Sequence, residues 1–215
     1  MTGPRFTLID ASNRNDHRRL TENDKCYFLG ERTAGEGYDF SETNQLIANI
    51  KINPRFRGQN RWHYKDRDMT KCARLFETGL KREWLEFATL VPIPPSKMKS
   101  DPEFDDRILE ILKRIRVPGL DVRELVVQRE SMRASSQSPG NRPSQRELFE
   151  NYLIDETLVD PAPRVFGIVD DVLTNGDHFK AVQQKLEERF PGVPTVGLFI
   201  ARTVHRPDEF EDLDF

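Results

Sequence analysis

The sequence has few residues of the types that build disulfide frameworks or metal sites. Among its 215 residues are two cysteines, Cys26 and Cys72, and four histidines. Two cysteines in a chain of this length could form one bridge, but free thiols in a reducing compartment are the expected state. No spacing of Cys and His residues is typical of a zinc site. The composition therefore predicts no metal site built from protein side chains alone.

Long apolar runs are also absent. No segment approaches the ~18 consecutive apolar residues of a membrane-spanning helix, and the first residues lack the apolar stretch of a signal peptide. We therefore expect a cytoplasmic protein with no membrane partner. Hydrophobic residues make up only 36% of the chain and charged residues 32%. A core must be concentrated in a few segments, and the apolar runs lie mainly after residue 86.

The net charge of −3 gives no overall attraction to polyanions, but the charges are unevenly distributed. Residues 51–82 contain ten Lys and Arg against three Asp and Glu, whereas the last eight residues contain five acids. Separate regions of opposite charge indicate a basic working surface and an acidic tail at 206–215. In RFRGQNRWHYK (55–65), basic residues are interleaved with aromatic ones, a combination that binds single-stranded nucleic acid. A solvated basic loop is the alternative.

The first 85 residues are polar and weakly periodic. We predict a short strand at 26–29, a loop over 53–68 and an amphipathic helix over 70–85, where apolar residues recur at spacings of three and four. The segment 41–52 is either a short helix with Ser41 as its N-cap or a strand. Together these residues form an N-terminal region distinct from the apolar remainder of the chain.

From residue 86 onward, short apolar strands alternate with amphipathic helices. We predict strands at 87–93, 125–127, 165–169 and 195–201, helices at 108–115 and 179–190, and a long mobile loop at 131–147. This alternation predicts an α/β fold with a mostly parallel central sheet flanked by helices. Ligands of such sheets bind at the carboxyl ends of the strands, so we expect a site in the loops after Ile93, Val127 and Val169.

The segment VFGIVDDVLTNGDHF (165–179) carries the most specific functional pattern. Asp170 and Asp171 follow the apolar strand, and the turn into the next helix consists of Thr174, Asn175, Gly176, Asp177 and His178. Backbone N–H groups at a helix start, with a glycine that allows close approach, hold a phosphate. Paired carboxylates accept hydrogen bonds from the vicinal hydroxyls of a ribose. The pattern therefore predicts a sugar-phosphate site, with a helix cap and a solvated turn as the alternative.

This segment resembles the phosphoribosyl-pyrophosphate signature of type I phosphoribosyltransferases, in which two acids and a Thr-Thr-Gly-like turn follow an apolar strand. Within that superfamily, residues 86–203 are most similar to the competence protein ComF branch. The shared features are the Pro-rich loop VPIPPSK (91–97), Arg129 after the second strand, and ARTV (201–204) at the last strand. The resemblance covers a little over half the chain. It implies a type I phosphoribosyltransferase fold at 86–205, with an N-terminal hood or appendage at 1–85.

The resemblance also implies how the ligand would be held. Asp170 and Asp171 would bind the ribose hydroxyls, and the turn 174–178 would bind the 5′-phosphate. The pyrophosphate would contact Pro94, Pro95, Ser96 and Lys97, with a cis bond between the two prolines. The leaving group would be neutralised by Arg129 together with Arg133, Arg142 or Arg146. Mg²⁺ would arrive with the ligand's pyrophosphate oxygens, as suits a site without a protein cage.

The implied activity is transfer of the phosphoribosyl group to a nucleobase or related amine, with release of pyrophosphate. The alternative is a non-catalytic subunit that binds a ribose phosphate or nucleotide and regulates a protein partner through the hood or the acidic tail. Asp177 and His178 favour this alternative because they depart from the usual phosphate turn, and Asp177 must turn away for phosphate to bind. A third hypothesis is nucleic-acid binding through 51–82. We also expect that changing both Asp170 and Asp171 to Asn leaves thermal stability nearly unchanged.

Overall fold

A six-stranded sheet crosses the centre of the protein, and helices cover both of its faces. The computed structural model describes residues 5–132 and 143–205. The strands are β1 (Thr7–Leu8), β2 (Cys26–Thr33), β3 (Thr89–Pro92), β4 (Asp121–Val122), β5 (Val126–Gln128), β6 (Tyr152–Ile154), β7 (Phe166–Leu173) and β8 (Thr195–Val204). The α-helices are α1 (Glu42–Ile50), α2 (Trp62–Gly79), α3 (Arg82–Leu85), α4 (Arg107–Lys113), α5 (Gln145–Asn151) and α6 (Asp177–Arg189).

The central sheet has the strand order β1-β2-β8-β7-β3-β4. The pairs β2–β8, β8–β7, β7–β3 and β3–β4 are parallel, and only the short edge strand β1 runs antiparallel to its neighbour. The predicted α/β architecture with a mostly parallel sheet is therefore confirmed. The first half of the chain contributes β2 to this sheet, where it pairs along its length with the last strand, β8.

Two hydrophobic clusters lie on opposite faces of the sheet, because successive side chains of a strand alternate between its faces. On one face, which we call the α4 side, α1, α2 and α4 pack with buried residues such as Ile50, Phe76 and Ile111. On the other, the α6 side, α5, α6 and the β5–β6 pair pack with buried residues such as Phe166 and Phe179. Parallel sheets are stable in this arrangement because both faces are covered.

Capping residues fix the ends of the helices that border the site. Ser41 caps α1, and its side chain accepts a hydrogen bond from the backbone N–H of Asn44. The segment 41–52 is thus a helix, one of the two structures that its sequence allowed. At the start of α6, the N-cap is Gly176 with a φ of +95°, a left-handed conformation that favours glycine.

Two predictions for the N-terminal half were wrong in their boundaries. The predicted loop over 53–68 contains the start of α2, which begins at Trp62 although Arg61 at its N-cap makes no side-chain cap. Backbone turn hydrogen bonds, such as that from Trp62 N–H to the carbonyl of Gln59 at 2.9 Å, take the place of a capping side chain, so no capping residue in the sequence marked this start. The predicted helix over 70–85 is interrupted, because α2 ends at Gly79 and the single turn α3 follows.

Further corrections concern the region between β3 and β7. The predicted strand at 125–127 does not join the parallel sheet: β5 pairs antiparallel with β6, and β4 takes the place beside β3. Part of the predicted long loop is helix, since α5 begins at Gln145 with a capping box between Ser144 and Glu147. The remainder, at 133–142, lies outside the described residues, as does the acidic tail. The peptide bond between Pro94 and Pro95 is trans.

None of the helices in the described ranges is both long enough and apolar enough to cross a lipid bilayer.

Candidate functional site

A cleft of about 770 Å³ opens at the carboxyl ends of β3 and β7. These two strands are neighbours at the point where the strand order reverses, because the chain goes from β3 to β4 on one side and returns to β7 on the other. Ligands of open α/β sheets bind at such switch points. The loop after β3 and the end of α1 form further parts of the cleft wall, as do β5 and the loop between β2 and α1.

Eight of the residues predicted for the site line this cleft: Pro94, Pro95, Ser96, Lys97, Asp170, Asp171, Thr174 and His178. The structure does not bring Arg129 to the cleft, and the backbone N–H of Arg129 donates to the carbonyl of Asn151 at 2.9 Å. Arg146 is exposed on α5 and pairs with Glu150 at 2.8 Å. Asn175, Gly176 and Asp177 lie in the adjoining turn without lining the cleft. Arg133 and Arg142 lie outside the described residues.

The acid pair lies within β7 rather than after it, since this strand continues to Leu173. The sequence suggested an end at Val169 because the apolar run stops there. The β7–β8 ladder continues past the acids, with Val172 opposite Ala201. Neighbouring residues of a strand point to opposite faces, so the side chains of Asp170 and Asp171 lie on opposite sides of the sheet.

Asp171 is held by two cations on the α4 side. Its Oδ1 lies 2.9 Å from Lys51 Nζ, and its Oδ2 lies 2.6 Å from Arg107 Nη2 and 2.7 Å from Arg107 Nε. The residue is only 3% exposed. Burial alone would raise the pKa of Asp171, but the charges of Lys51 and Arg107 outweigh it and hold the pKa below its usual range. Asp171 is thus ionised, and both of its oxygens already form ion pairs with Lys51 and Arg107.

These ion pairs continue away from the cleft. Arg107 Nη1 contacts Asp105 Oδ2 at 2.9 Å, and Asp105 accepts from Lys65 Nζ at 2.7 Å. Lys65, which is 1% exposed, also donates to the carbonyl of Ile52 at 2.8 Å. Burial lowers the pKa of Lys65, and the carboxylate of Asp105 partly offsets this effect. The chain of charges ties α1, α2 and the start of α4 to β7.

Sequence reasoning missed Lys51 and Arg107. Lys51 directly follows α1, and Arg107 is the first residue of α4. A single cation at a helix end is a weak pattern by itself. Their contact with Asp171 joins residues far apart in the chain, and no local spacing predicts such a contact. The only hint was the acid-rich segment DPEFDDR (101–107), where a single arginine stands among four acids.

Asp170 and its neighbours on the α6 side carry little charge. Burial, together with the nearby carboxylate of Asp171, raises the pKa of Asp170 to about 7. Tyr152 lies fully buried close by, and its hydroxyl hydrogen-bonds Nδ1 of His178 at 2.9 Å. Burial lowers the pKa of His178 to about 4, so its imidazole is neutral at pH 7. A ligand at this wall meets neutral donors and acceptors and one carboxyl group that titrates near neutrality.

The turn from β7 into α6 is fixed from outside by the N-terminal segment 9–24. The backbone N–H of Arg19 donates to the carbonyl of Asn175 at 2.9 Å, and the ring of His17 hydrogen-bonds the carbonyl of Thr174. Arg19 Nε contacts Asp177 Oδ1 at 2.8 Å. The Asp177 carboxylate is therefore turned towards Arg19.

The first turn of α6 lies beside the cleft. The first N–H groups of an α-helix have no intrahelical partner, and the helix dipole makes this end partly positive. Thr174 and His178, on either side of the Gly176 cap, both line the cleft. A Cβ on Gly176 would lie 3.2 Å from the Leu20 side chain, so a larger residue here would also press against the N-terminal segment.

The cleft as a whole has no excess of positive charge. Its five basic residues are Arg32, Lys51, Lys97, Lys99 and Arg107, and its seven acidic ones are Glu36, Asp105, Asp106, Glu124, Asp155, Asp170 and Asp171. At the rim, Lys99 pairs with Glu124 at 2.8 Å and Lys97 with Asp101 at 3.6 Å. A ligand with several phosphate charges would therefore bind better with a divalent cation of its own.

The described part of the chain holds no group of three or more His, Cys, Asp or Glu side chains arranged to bind a metal. Cys26 and Cys72 are free thiols, and burial raises the pKa of Cys72 to about 12. Comparison with protein-family models and with curated protein sequences finds no match. The functional assignment consequently depends on the residues of the cleft.

Proposed function

We propose that the cleft binds phosphoribosyl pyrophosphate with Mg²⁺, and that the protein transfers the phosphoribosyl group to a nucleobase or related amine. The observation that carries this proposal is the position of the turn 174–178. It begins α6 beside an acid pair, at the switch point between β3 and β7, and opens into a cleft of about 770 Å³. In this proposal the fold is that of the type I phosphoribosyltransferases, with residues 1–85 as hood and appendage.

The 5′-phosphate would be held by the backbone N–H groups at the start of α6, together with the hydroxyl of Thr174. Asp170 would accept a hydrogen bond from a ribose hydroxyl. Asp171 plays a different role in this scheme from the one its sequence implied, because its carboxylate already accepts from Lys51 and Arg107. It would orient these two cations.

The pyrophosphate would lie against the loop 94–97. In the displacement, the acceptor nitrogen forms a bond to the anomeric carbon and its proton passes to solvent, while the bond to the pyrophosphate oxygen breaks and its electron pair leaves with pyrophosphate. Cations placed at that oxygen stabilise the transition state. Lys51 and Arg107 line the cleft and take the role in this proposal that the sequence assigned to Arg129.

Mg²⁺ fits the donor set only in part, because Asp171 is engaged and no larger acidic cluster occurs among the described residues. Asp170 and the pyrophosphate oxygens would hold the ion, which suits a cation that retains several waters and needs few protein ligands. When bound, Mg²⁺ supplies charge neutralisation of the pyrophosphate.

A second candidate function is a non-catalytic protein that binds a ribose phosphate or nucleotide and acts on a protein partner. The engagement of Asp171 by both cations favours it, since a catalyst benefits from cations aimed at the leaving group. The same cleft and the same turn would bind the ligand in both cases. The two candidates differ only in whether pyrophosphate is released.

The deciding experiment combines the protein with phosphoribosyl pyrophosphate, Mg²⁺ and a panel of nucleobases and small amines, and measures pyrophosphate. Release with at least one acceptor supports the transferase, and Asp170→Asn should then lower the rate by at least about tenfold. Asp177→Asn serves as the comparison: because Asp177 faces Arg19 rather than the cleft, this substitution should not lower the rate. Tight binding without release across the panel would favour the second candidate. The absence of binding would contradict both.

A further inference from the structure

Arginine side chains stack on aromatic rings in the segment 54–67, which we call the arginine–aromatic patch. The segment contains a 3₁₀ turn at Pro54–Phe56, a glycine turn at Gly58 and the first turns of α2. The guanidinium carbons of Arg55 and Arg61 lie 4.7 Å and 4.3 Å from the centroid of the Phe56 ring. Two like charges are thus held against a single ring.

The next ring in the patch is Trp62, which also contacts two cations. Arg57 Cζ lies 5.2 Å and Lys65 Nζ 5.3 Å from its centroid. Further along α2, Arg67 Cζ lies 5.4 Å from the centroid of Tyr64. Cation–π contacts of this kind fix the direction of long side chains while leaving their N–H donors available. The patch therefore presents its guanidinium groups in defined positions.

Three arginines of the patch lack an acidic partner. Arg55, Arg57 and Arg61 are exposed, and the ion pairs found within residues 5–132 and 143–205 include none of them. The acids nearby are engaged elsewhere: Asp66 pairs with Arg114 at 2.8 Å, and Asp68 with Arg67 at 2.7 Å. The positive charge of these arginines is therefore not neutralised within the described part of the protein.

Exposed rings follow Arg61 in the first turn of α2. Tyr64 is 49% exposed, and its ring packs edge-on against the exposed ring of His63 at 5.9 Å between centroids. An exposed aromatic face next to unpaired cations is the arrangement that grips single-stranded nucleic acid, where bases stack on rings and phosphates meet Arg or Lys. Arg suits this role because its planar fork donates two hydrogen bonds to one phosphate.

From these contacts we infer that the arginine–aromatic patch binds single-stranded nucleic acid. Arg55, Arg57 and Arg61 contact successive phosphates, and Tyr64 stacks on a base. The patch adjoins the cleft, because Lys65 links Trp62 to Asp105 and Arg107. The patch shares no residue with the proposed phosphoribosyl site, and the test contains no phosphoribosyl pyrophosphate.

The test measures fluorescence anisotropy of labelled oligouridylate and oligothymidylate, each of about 12 nucleotides, with the full chain at about 50 mM salt. The triple variant Arg55→Gln, Arg57→Gln, Arg61→Gln should bind at least about tenfold more weakly. Its plot of log affinity against log salt concentration should be flatter by about two, since each phosphate contact on a single strand contributes about 0.7 to the slope. Melting temperatures would verify that each variant remains folded.

A matched control removes the same number of positive charges elsewhere on the surface. The variant Arg18→Gln, Arg74→Gln, Arg116→Gln removes three other exposed arginines, and it should bind both oligonucleotides like the unchanged protein. Equal losses in the two triple variants would overturn the inference, because the effect would then come from net charge alone. Absence of binding at low salt would overturn it as well.

A second variant tests the contribution of the bases. Tyr64→Ala removes an exposed ring without changing charge, and it should weaken oligonucleotide binding by about fivefold to tenfold, as expected for one stacked base. Inorganic polyphosphate with the same number of phosphates should bind more weakly than either oligonucleotide. Equally tight polyphosphate binding, unaffected by Tyr64→Ala, would show that the patch attracts any polyanion and would contradict the inference.

Discussion

The adjacent acids Asp170 and Asp171 of β7 have opposite pKa shifts, because the two sides of the sheet surround them differently. On the α4 side, Asp171 is kept ionised by Lys51 and Arg107, and the ion pairs continue through Asp105 to the buried Lys65. On the α6 side, burial raises the pKa of Asp170 to about 7. The neighbouring groups on this side, Tyr152 and His178, are neutral and hydrogen-bonded to each other.

This difference teaches that a two-acid motif need not act as a pair. A buried carboxylate is stable only when it is paired or protonated. Asp171 is paired, whereas Asp170 has a raised pKa that favours its protonated form. Asp171 connects β7 to two helices and sets the direction of two cations. Asp170, which lines the cleft without an ion pair to Lys51 or Arg107, remains the acid available to a ligand.

The largest effect should come from Asp171→Asn. Removing this charge leaves Lys51 without its carboxylate and Arg107 with Asp105 alone, and breaking one partner of a buried ion pair costs about 3–5 kcal/mol. Urea denaturation would measure the loss in the free energy of unfolding. The expectation from the sequence, that the double change to Asn leaves stability nearly unchanged, did not include these ion pairs of Asp171. Unfolding at the same urea concentration as the unchanged protein would contradict the structural role of Asp171.

Gly176→Ala tests the turn that begins α6. The substitution places a Cβ at a φ of +95° and 3.2 Å from Leu20, and it should cost about 2 kcal/mol of unfolding free energy. Gly192→Ala is the matched control: its φ is +78° with nothing within 4 Å, so only the backbone cost of about 1 kcal/mol applies. Only the first substitution should weaken binding of phosphoribosyl pyrophosphate. Equal effects on binding would argue against a phosphate at this turn.

Asp170→Asn should change how stability depends on pH. Because the pKa of Asp170 is raised on folding, the folded state holds more protons than the unfolded state between about pH 4 and 7, and stability falls as pH rises through this range. The substitution removes this contribution, so the variant should be the more stable protein at pH 8. Urea denaturation at pH 5 and pH 8 would measure it. A variant less stable at both values would contradict the assignment.

The smallest effect on stability is expected for the N-terminal segment that holds the turn. Arg19→Gln breaks a partly exposed ion pair with Asp177 and should cost less than about 1 kcal/mol. It also releases the Asp177 carboxylate beside the phosphate position, so affinity for phosphoribosyl pyrophosphate should fall. Asp177→Asn, which removes that charge, should bind at least as well as the unchanged protein. If both variants bound equally, Arg19 would have no orienting role.

Local patterns in the sequence were sufficient to predict the elements with strong periodicity. The strand that contains Val169, the helix after Gly176 and the last strand were all predicted, and so was the α/β architecture that follows from their alternation. Each of these elements buries either one face of a helix or a continuous apolar strand, and the spacing of apolar residues in the sequence predicts both directly.

Contacts between distant residues could not be predicted in this way. The segment around His17 and Arg19 has no periodicity, yet it packs on the turn at Thr174 and Asn175. The strand at 125–127 was placed in the parallel sheet because its composition suits a buried strand, but composition does not specify which strand becomes its partner. The position of Lys51 beside Asp171 likewise depends on how α1 packs against the sheet.

The most direct measurement of the central claim is a calorimetric titration with phosphoribosyl pyrophosphate, with and without Mg²⁺. The cleft has more acids than bases, so we predict binding only when Mg²⁺ is present. Asp170→Asn should lower the affinity by at least about tenfold, while Asp177→Asn should bind at least as well as the unchanged protein. No heat of binding with Mg²⁺, or equal affinity in Asp170→Asn, would contradict the account.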